Sequence, residues 1–343
     1  MKINYKNIKT FKDIKKFDYS SNNDLGLIKN NKAIILDNTF DKIPIDLPKK
    51  SASMFFFKND FYVSDSELFV TNIYINIFKQ KKVLKCLISI PTTKSKRSYL
   101  DYIFPIVYEN KNTYNGKFNT LNCILEKKYE LYLGLNGIYQ VLNDNLFLSQ
   151  NKEKIGVFNF NNTCIWEKSY KELFAEYDPI GAGTTNILKV GNKLYVELDK
   201  TYCINLNTGK VEHIYEHKFT NSENEFLYGL QFLSMTEFQL AILNTTTNQI
   251  KLIDVSDEFN KLNVYPDNRI VIKEGLVYFS QNMGDNIAKI GIFCPKTEKI
   301  LWKYDFEKQN GMIGTLKVQG NRIYAHTQDK TLHIFEKTQN ETT

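Results

Sequence analysis

Histidines are the first residues to consider, because imidazole nitrogens both bind metals and transfer protons near neutral pH. His213 and His217 lie four residues apart, a spacing that on a helix would place both rings on one face as a zinc-binding pair. The residues around them read as a strand, however, and four strand steps separate two Cα atoms by roughly 13 Å. We therefore interpret both as ordinary strand histidines, and only His326 and His333 remain elsewhere.

A glycine-rich segment at 178–185 (DPIGAGTT) has a composition that suits a phosphate-binding loop. It lacks the Gly-Lys-Ser/Thr ending of such loops, and it does not lead from a buried parallel strand into a helix. A similar segment at 309–315 (QNGMIGT) falls at the same point of a later repeat. Both are therefore interpreted as linkers between structural repeats.

Cysteines and carboxylates give no clearer signal. Five cysteines, without a CxxC pattern or an adjacent pair, favour reduced thiols over a disulfide framework or a zinc cluster. Asp285 has the character of a ligand in its turn, but the spacing around it is not that of a calcium loop. No two carboxylates stand out as an acid–base pair. The sequence therefore predicts no catalytic residue, no metal site and no cofactor.

Charge is distributed unevenly along the 343 residues, which carry 45 Lys and Arg against 38 Asp and Glu. Residues 1–100 hold 19 basic and 9 acidic groups. The densest part of this excess is Lys79, Lys81, Lys82, Lys85, Lys94, Lys96 and Arg97. Lysines that alternate with apolar residues are typical of the solvated side of a strand, and three arginines in all argue against base-specific reading. Nucleic acid is therefore not the expected partner.

Composition bounds the class of protein. Hydrophobic residues make up 42% and aromatic residues 14% of the chain, which is enough for a sizeable core. No stretch approaches 18 consecutive apolar residues, and the first 20 residues interleave lysines with single apolar residues instead of forming the apolar core of an export signal. We expect a cytoplasmic, monomeric protein that does not enter a membrane.

A repeat of short strands organises the second half of the chain. Five similar segments, each running into a polar turn, start at Leu146, Leu194, Leu240, Val277 and Ile323. Their starts are 48, 46, 37 and 46 residues apart, and further strands follow through short turns, as in antiparallel hairpins. A period near 44 with room for four strands is typical of a β-propeller blade. Upstream segments at 61 and 102 extend the series to seven.

These observations predict an all-β, seven-bladed β-propeller of four-stranded antiparallel blades that start near 55, 98, 135, 185, 228, 268 and 313. The last blade lacks its outer strand, and we expect the strand at about 32–38 to supply it and so hide the free edge. Residues 1–31 would be a basic lead-in and residues 32–343 a single domain. Two β-sandwiches are the alternative architecture, and explain the regular spacing less well. Residues 167–177 read either as a helix or as an outer strand followed by a short helical turn.

Two segments, 202–211 (YCINLNTGKV) and 292–304 (IFCPKTEKILWKY), resemble the PQQ-like, or quinoprotein-like, propeller repeat, with its Thr-Gly-Lys turn and its strand ending in Trp. The resemblance covers roughly residues 140–340. It implies that Trp166 and Trp302 are structural and pack between neighbouring sheets. Quinoprotein dehydrogenases carry a vicinal cysteine pair, which this chain lacks, so the resemblance implies a non-enzymatic member without a quinone.

The expected function is therefore non-catalytic binding of another protein by loops on a rigid scaffold. Loops between blades and the middle hairpin turn of each blade should share one face, and the partner-binding residues predicted there are Tyr177, Asp178, Tyr228, Asp285 and Asn310. A narrower expectation is a bacterial immunity protein that neutralises a toxin by direct binding. The alternative is an enzyme or binding module for a saccharide or small molecule at the central channel, with loop carboxylates as acid and base.

Overall fold

The computed structural model describes residues 3–51, 53–65, 72–86, 96–110, 112–130, 138–179, 186–234, 236–267, 269–281 and 287–338. Within these ranges the chain forms 32 strands and two short α-helices, of four and six residues. Consecutive strands pair antiparallel through short turns. The prediction of an all-β chain is confirmed. None of the described helices is long and apolar enough to span a membrane.

The strands form seven hydrogen-bonded sheets of a β-propeller, and one sheet of nine strands comprises two blades. The described residues therefore contain eight blades instead of the predicted seven. They belong to two compact units. Unit 1 comprises the described residues of 1–12, 183–206 and 210–343, and unit 2 those of 13–182 and 207–209.

Unit 2 contains blades 1 to 4. Blade 1 consists of β2 (Ile14–Tyr19), β3 (Leu25–Lys29) and β4 (Lys32–Leu36). Blade 2 consists of β5 (Ser53–Phe57), β6 (Asp60–Asp65), β7 (Asn72–Asn76) and β8 (Lys81–Cys86). Blade 3 consists of β9 (Ser98–Tyr99), β10 (Tyr102–Ile103), β11 (Ile106–Glu109), β12 (Asn112–Asn119) and β13 (Ile124–Glu130). Blade 4 consists of β14 (Gln140–Val141), β15 (Leu146–Gln150), β16 (Lys154–Asn159) and β17 (Cys164–Ser169), followed by α1 (Tyr170–Leu173).

Unit 1 contains blades 5 to 8. Blade 5 consists of β18 (Ile187–Val190), β19 (Lys193–Glu197), β20 (Thr201–Asn205) and β21 (Val211–Tyr215). Blade 6 consists of β22 (Asn221–Glu223), β23 (Phe226–Phe232), β24 (Phe238–Asn244) and β25 (Gln249–Asp254), followed by α2 (Ser256–Lys261). Blade 7 consists of β26 (Val271–Lys273), β27 (Leu276–Gln281), β28 (Lys289–Cys294) and β29 (Lys299–Asp305). Blade 8 consists of β30 (Ile313–Gln319), β31 (Arg322–Thr327), β32 (Leu332–Lys337) and, from the start of the chain, β1 (Tyr5–Phe11).

The blade that the sequence does not predict is blade 1. The interpretation of residues 1–31 as a lead-in is wrong, because they contain β1, β2 and β3. The lysine-rich β2 alternates between buried and more exposed positions, with Ile14 1% exposed, and β3 is buried along most of its length. Asp18, 4% exposed, lies on the same buried side of β2 as Ile14, so a polar residue stands where the period of two requires an apolar one.

An N-terminal strand does close the last blade, but it is β1 and not the predicted strand at 32–38. β1 pairs with β32 from Tyr5 opposite Lys337 to Phe11 opposite Leu332. The strand expected there, β4, pairs instead with β3 inside blade 1. The physical requirement was identified correctly, since the open edge of β32 is covered, and the error was in the segment that covers it.

Two further expectations have mixed outcomes. Of the two interpretations of 167–177, the strand followed by a short helical turn is correct. In blade 6 the segment that starts at Leu240 belongs to the third strand and not to the second, which is β23. This shift explains the short 37-residue step in the repeat series.

The core consists of apolar clusters between consecutive sheets within each unit. In unit 2, Phe104 of blade 3 stacks on Phe160 of blade 4 with ring centroids 4.9 Å apart. In unit 1, Ile292 of blade 7 and Phe335 of blade 8 belong to one cluster, to which Ile3 also contributes. Aromatic residues thus fill the space between blades, in keeping with their abundance in the sequence.

Candidate protein-binding surface

The predicted partner-binding residues that the structure describes are divided between the two units. Tyr177 and Asp178 follow blade 4 in unit 2, whereas Tyr228 and Asn310 belong to unit 1. Asp285 lies outside the described residues. Tyr228 was expected in a loop, and this placement is wrong because it lies within the seven-residue strand β23, 6% exposed.

Tyr177 is at the predicted position in a loop between blades, but its side chain is buried. Its hydroxyl donates a hydrogen bond to the Lys152 carbonyl at 2.9 Å, and its ring contacts Tyr170 with centroids 5.1 Å apart. It therefore anchors the loop, and the neighbouring Asp178 is the exposed residue of the pair.

Loops between blades do meet the middle hairpin turns within each unit, as predicted. Tyr177 reaches the turn at Lys152 in unit 2. In unit 1, the Asn310 side-chain amide donates to Asp329 Oδ2 at 3.0 Å, and the Asp329 N–H donates to the Asn310 carbonyl at 3.3 Å. Asn310 is half-buried and holds the loop before blade 8 against the hairpin turn of that blade.

The opposite ends of the strands in blades 2 and 3 carry a feature that the sequence analysis missed. Four large apolar side chains stand exposed at adjacent turns, with exposed fractions of 40%, 66%, 59% and 48% for Phe78, Leu100, Leu121 and Ile124. We call these four residues the apolar turn cluster. A sequence signal existed, because bulky apolar residues occupy turn tips where polar residues are usual.

Hydrogen bonds to backbone carbonyls and one ion pair hold the turns of this cluster together. Lys79 Nζ donates to the Leu121 carbonyl at 2.7 Å and pairs with Asp60 Oδ2 at 3.2 Å. The N–H and hydroxyl of Thr120 donate to the Asp101 carbonyl at 2.9 and 2.8 Å. The surface is therefore presented on fixed turns, which lowers the entropy cost of binding.

Leu100 is held in an unfavourable conformation. Its φ of +51° lies in the left-handed region, which only glycine and, less readily, asparagine and aspartate visit at low cost. Nothing about burial requires a leucine here, since the side chain is 66% exposed. A strained, exposed apolar residue is the kind of outlier from which a binding role can be inferred.

The basic residues noted in the sequence are partly engaged inside the fold. Arg97 is 4% exposed and donates to the carbonyls of Ile138 at 2.6 Å and Phe104 at 3.1 Å. Lys96 Nζ lies 3.9 Å from the Tyr139 ring centroid, and burial lowers the pKa of Lys96 to about 8. Both side chains join blades 3 and 4, which leaves less positive charge for a nucleic-acid backbone.

Histidines and cysteines form no metal centre in the part of the chain that the structure describes. His213 lies on β21, as predicted, and His217 follows that strand with its Nδ1 3.1 Å from Gln231 Oε1. Cys203 is buried on β20, whereas Cys164 is exposed on β17. These two cysteines therefore occupy different strands of the repeat.

Comparisons with known proteins add the fold and no more. The chain matches no protein-family model and no curated protein. Among solved structures, Sqt1 of Saccharomyces cerevisiae has a TM-score of 0.59 at 10% identity, covering 99% of this chain and 100% of that chain. The WD40 domain of SCAP from fission yeast has a TM-score of 0.53 at 9% identity, covering 98% of each chain. BamB from Moraxella catarrhalis has a TM-score of 0.51 at 11% identity, covering 99% of each chain.

Proposed function

We propose that this chain is a non-catalytic β-propeller that binds another protein, and that the apolar turn cluster is part of its binding surface. The observation that carries the proposal is the exposure of four large apolar side chains at or next to turns, which are joined by hydrogen bonds from the Lys79 and Thr120 side chains to backbone carbonyls. Contiguous exposed apolar surface on a rigid support is a frequent mark of a protein interface.

The partner that this surface suits is a folded protein with a complementary apolar patch and charged groups around it. Lys79 next to Phe78 pairs with Asp60, and Lys58 on the neighbouring turn pairs with Asp101, so the rim carries charges of both signs. Charges on the partner that complement this pattern would mainly raise the association rate.

A finer form of the proposal assigns the chain to the PQQ-like repeat propellers without enzymatic activity. Trp166 supports it, because a Cβ placed on Gly209 of the Thr-Gly-Lys turn would lie 2.7 Å from the indole ring. Trp302 supports it too, since its ring packs 5.5 Å from Phe335 of the next blade. These two contacts support the finer assignment.

The most specific form is a bacterial immunity protein, monomeric and cytoplasmic when free, that neutralises a toxin by direct binding. It requires a stoichiometric complex and no turnover of the partner. The alternative of a saccharide-directed enzyme requires turnover, so the two classes are separated by one measurement on the purified components.

The test is cross-linking of the tagged protein in its native host, identification of the partner by mass spectrometry, and titration of that purified partner by calorimetry. The double variant Phe78→Ser, Leu121→Ser removes two members of the cluster. We expect it to weaken the complex by about tenfold or more, as loss of a central apolar contact does.

Leu233→Ser provides the control, because Leu233 is also 59% exposed but lies outside the cluster, in unit 1. Equal affinities of the wild type, the double variant and the control would refute the cluster as the binding surface. Cleavage of a glycan by the purified chain would overturn the non-catalytic assignment itself.

A further inference from the structure

The outer strands of three blades place a ring at the same position of the sheet. Each ring residue pairs with the residue two positions before the end of the third strand, the pairs being Trp166 with Val157, His213 with Cys203, and Trp302 with Ile292. In each of these blades the ladder shifts by one residue next to that pair, as a β-bulge does. A β-bulge changes the direction in which neighbouring side chains point. The bulge therefore accounts for the similar placement of the three rings.

Each ring contacts the turn or sheet that follows it. Trp166 covers Gly209. His213 Nε2 lies 3.3 Å from Asn248 Nδ2, and the Tyr215 hydroxyl donates to the Oδ1 of the same asparagine at 2.8 Å. Trp302 packs against Tyr5 of β1 with centroids 5.3 Å apart. The ring position therefore acts as the connection from one blade to the next.

Blades 2, 6 and 8 carry no ring at this position, which is occupied by Leu84, Lys251 and Asn7. In blade 6, Lys251 lies opposite Ile242, and the β24–β25 ladder runs from Gln239 to Asn244 without a shift. Lys251 Nζ lies 3.4 Å from the Pro295 carbonyl and 3.6 Å from Glu298 Oε1, on the turn of blade 7 that a ring would cover. The side chain is 58% exposed. The aliphatic part of the Lys251 side chain thus lies where an aromatic ring lies in blades 4, 5 and 7.

The space left by the missing ring is open as a cleft of about 800 Å³ between blades 6 and 7. Phe226, Ile242 and Ile250 supply its apolar wall. Tyr228 also lines it, and its hydroxyl donates to none of the described residues. The volume lies within the range of sites that bind small molecules and peptide side chains. Polar and charged residues, among them Asn244, Gln249 and Glu274, line the rest of the cleft.

The rim of this cleft is rigid and charged. Glu223 accepts hydrogen bonds from the backbone N–H groups of Glu274 at 2.6 Å and Gly275 at 2.8 Å, which fixes the inner rim across the two blades. Lys251 and Lys296 supply ammonium groups on the outer rim. An ammonium group beside an aromatic ring adds a cation–π attraction to the contact with the apolar wall.

We propose that this cleft binds the aromatic side chain of an extended peptide segment, with tryptophan as the best fit. Blades 4 and 7 place an indole at this position, and the cleft is larger than one ring needs, which leaves room for backbone on either side. The inference rests on the proposed function in one respect, namely that the peptide segment belongs to the partner protein. Its test uses no partner, so either proposal can fail while the other stands.

The test titrates full-length protein against N-acetyl-5-fluorotryptophanamide and follows the ¹⁹F line width of the probe, with N-acetylleucinamide as competitor. Wild type should broaden the line with a dissociation constant of roughly 1 mM or lower. Lys251→Trp should fill the cleft from within, raise the melting temperature and weaken probe binding by about tenfold or more. Lys251→Gln removes the same charge without filling the space, and should still bind the probe.

Photolabelling of the wild type keeps the test decisive if Lys251→Trp fails to fold. N-acetyl-4-benzoylphenylalaninamide should label residues in 223–251 or 274–296, and excess N-acetyltryptophanamide should suppress the labelling. No broadening with wild type, equal broadening with Lys251→Trp, competition by N-acetylleucinamide as strong as by the tryptophan amide, or labelling elsewhere would each overturn the proposal.

Discussion

His333 lies on β32, where it pairs with Thr10 of the closing strand. The side chain is 7% exposed, and neither ring nitrogen has a hydrogen-bond partner among the described residues. Burial lowers the pKa of His333, while the charges of Asp329 and Glu307 act in the opposite direction and His326 adds to the lowering. The folded protein therefore holds this imidazole neutral.

Acidification should destabilise the protein through this residue. The unfolded chain takes up a proton near the ordinary pKa of about 6.5, and the folded chain does so only at lower pH, so stability is lost as pH falls below that value. His333→Phe should flatten the dependence of the unfolding free energy on pH between 7.5 and 5, measured by urea denaturation. His213→Asn, at an exposed site, should leave that dependence as steep as in the wild type.

At Leu100 we expect a substitution to raise the free energy of unfolding and to weaken binding of the proposed partner. Leu100→Asn keeps the left-handed turn with a residue that tolerates it, and should stabilise the fold by about 1 kcal/mol in denaturant titrations. The same variant should weaken the proposed protein complex, because it removes the most exposed member of the apolar turn cluster. Unchanged or lower stability would show that the backbone at Leu100 carries no strain.

In several sheets one aromatic side chain makes the contact with the next blade. A substitution at Gly209 tests how much one such contact contributes to stability. Gly209 has φ +68°, and an added Cβ would meet the Trp166 indole at 2.7 Å. Gly209→Ala should cost about 2–4 kcal/mol, the sum of a left-handed alanine and overpacking against a rigid ring.

Gly191→Ala is the matched control for that substitution. Gly191 also has positive φ, +55°, but an added Cβ would meet nothing within 4 Å. It should therefore cost only about 1 kcal/mol, the conformational part. Equal losses at the two glycines, or an unchanged tryptophan fluorescence spectrum in Gly209→Ala, would argue against the indole contact.

Strands were predictable wherever hydrophobic alternation and turn residues agreed. The segments from Leu146 and Val277 correspond to β15 and β27, within a residue. The segment near 102 was expected to be irregular, and it splits into β10 and β11 around Pro105, which has no N–H to donate to a ladder. Blade 1 was missed because polar residues interrupt the hydrophobic alternation of β2. The closing strand was misassigned because pairing between distant segments leaves no local signal in the sequence.

The candidate site was harder to predict than the fold. Chain position placed Tyr177 in the correct loop, but burial of its ring depends on Tyr170 and on the turn at Lys152, which are brought to it only by folding. The apolar turn cluster unites turns more than 40 residues apart in sequence. Aligning the repeats would have shown Lys251 in a tryptophan position, a signal that was available without coordinates.

At the scale of the whole molecule, closure by β1 predicts that a covalent link at this seam stabilises the fold. Lys6 and Glu336 face each other across the β1–β32 ladder. Cysteines at these two positions should form a disulfide that raises stability by about 2–4 kcal/mol, because the loop it closes spans most of the chain. The gain should appear in thermal melts of the oxidised variant and vanish when a reductant is added. A disulfide that leaves the melting temperature unchanged would contradict the role of this seam.

The same seam has a consequence for synthesis on the ribosome. β1 emerges before its pairing partner β32, which follows only after some 320 further residues, a delay of roughly 15–65 s at about 5–20 residues per second. Throughout that time β1 is a strand without a neighbour. Lys6 and Lys9 make the waiting segment hydrophilic, so the N-terminal lysines protect the nascent chain from aggregation before blade 8 exists.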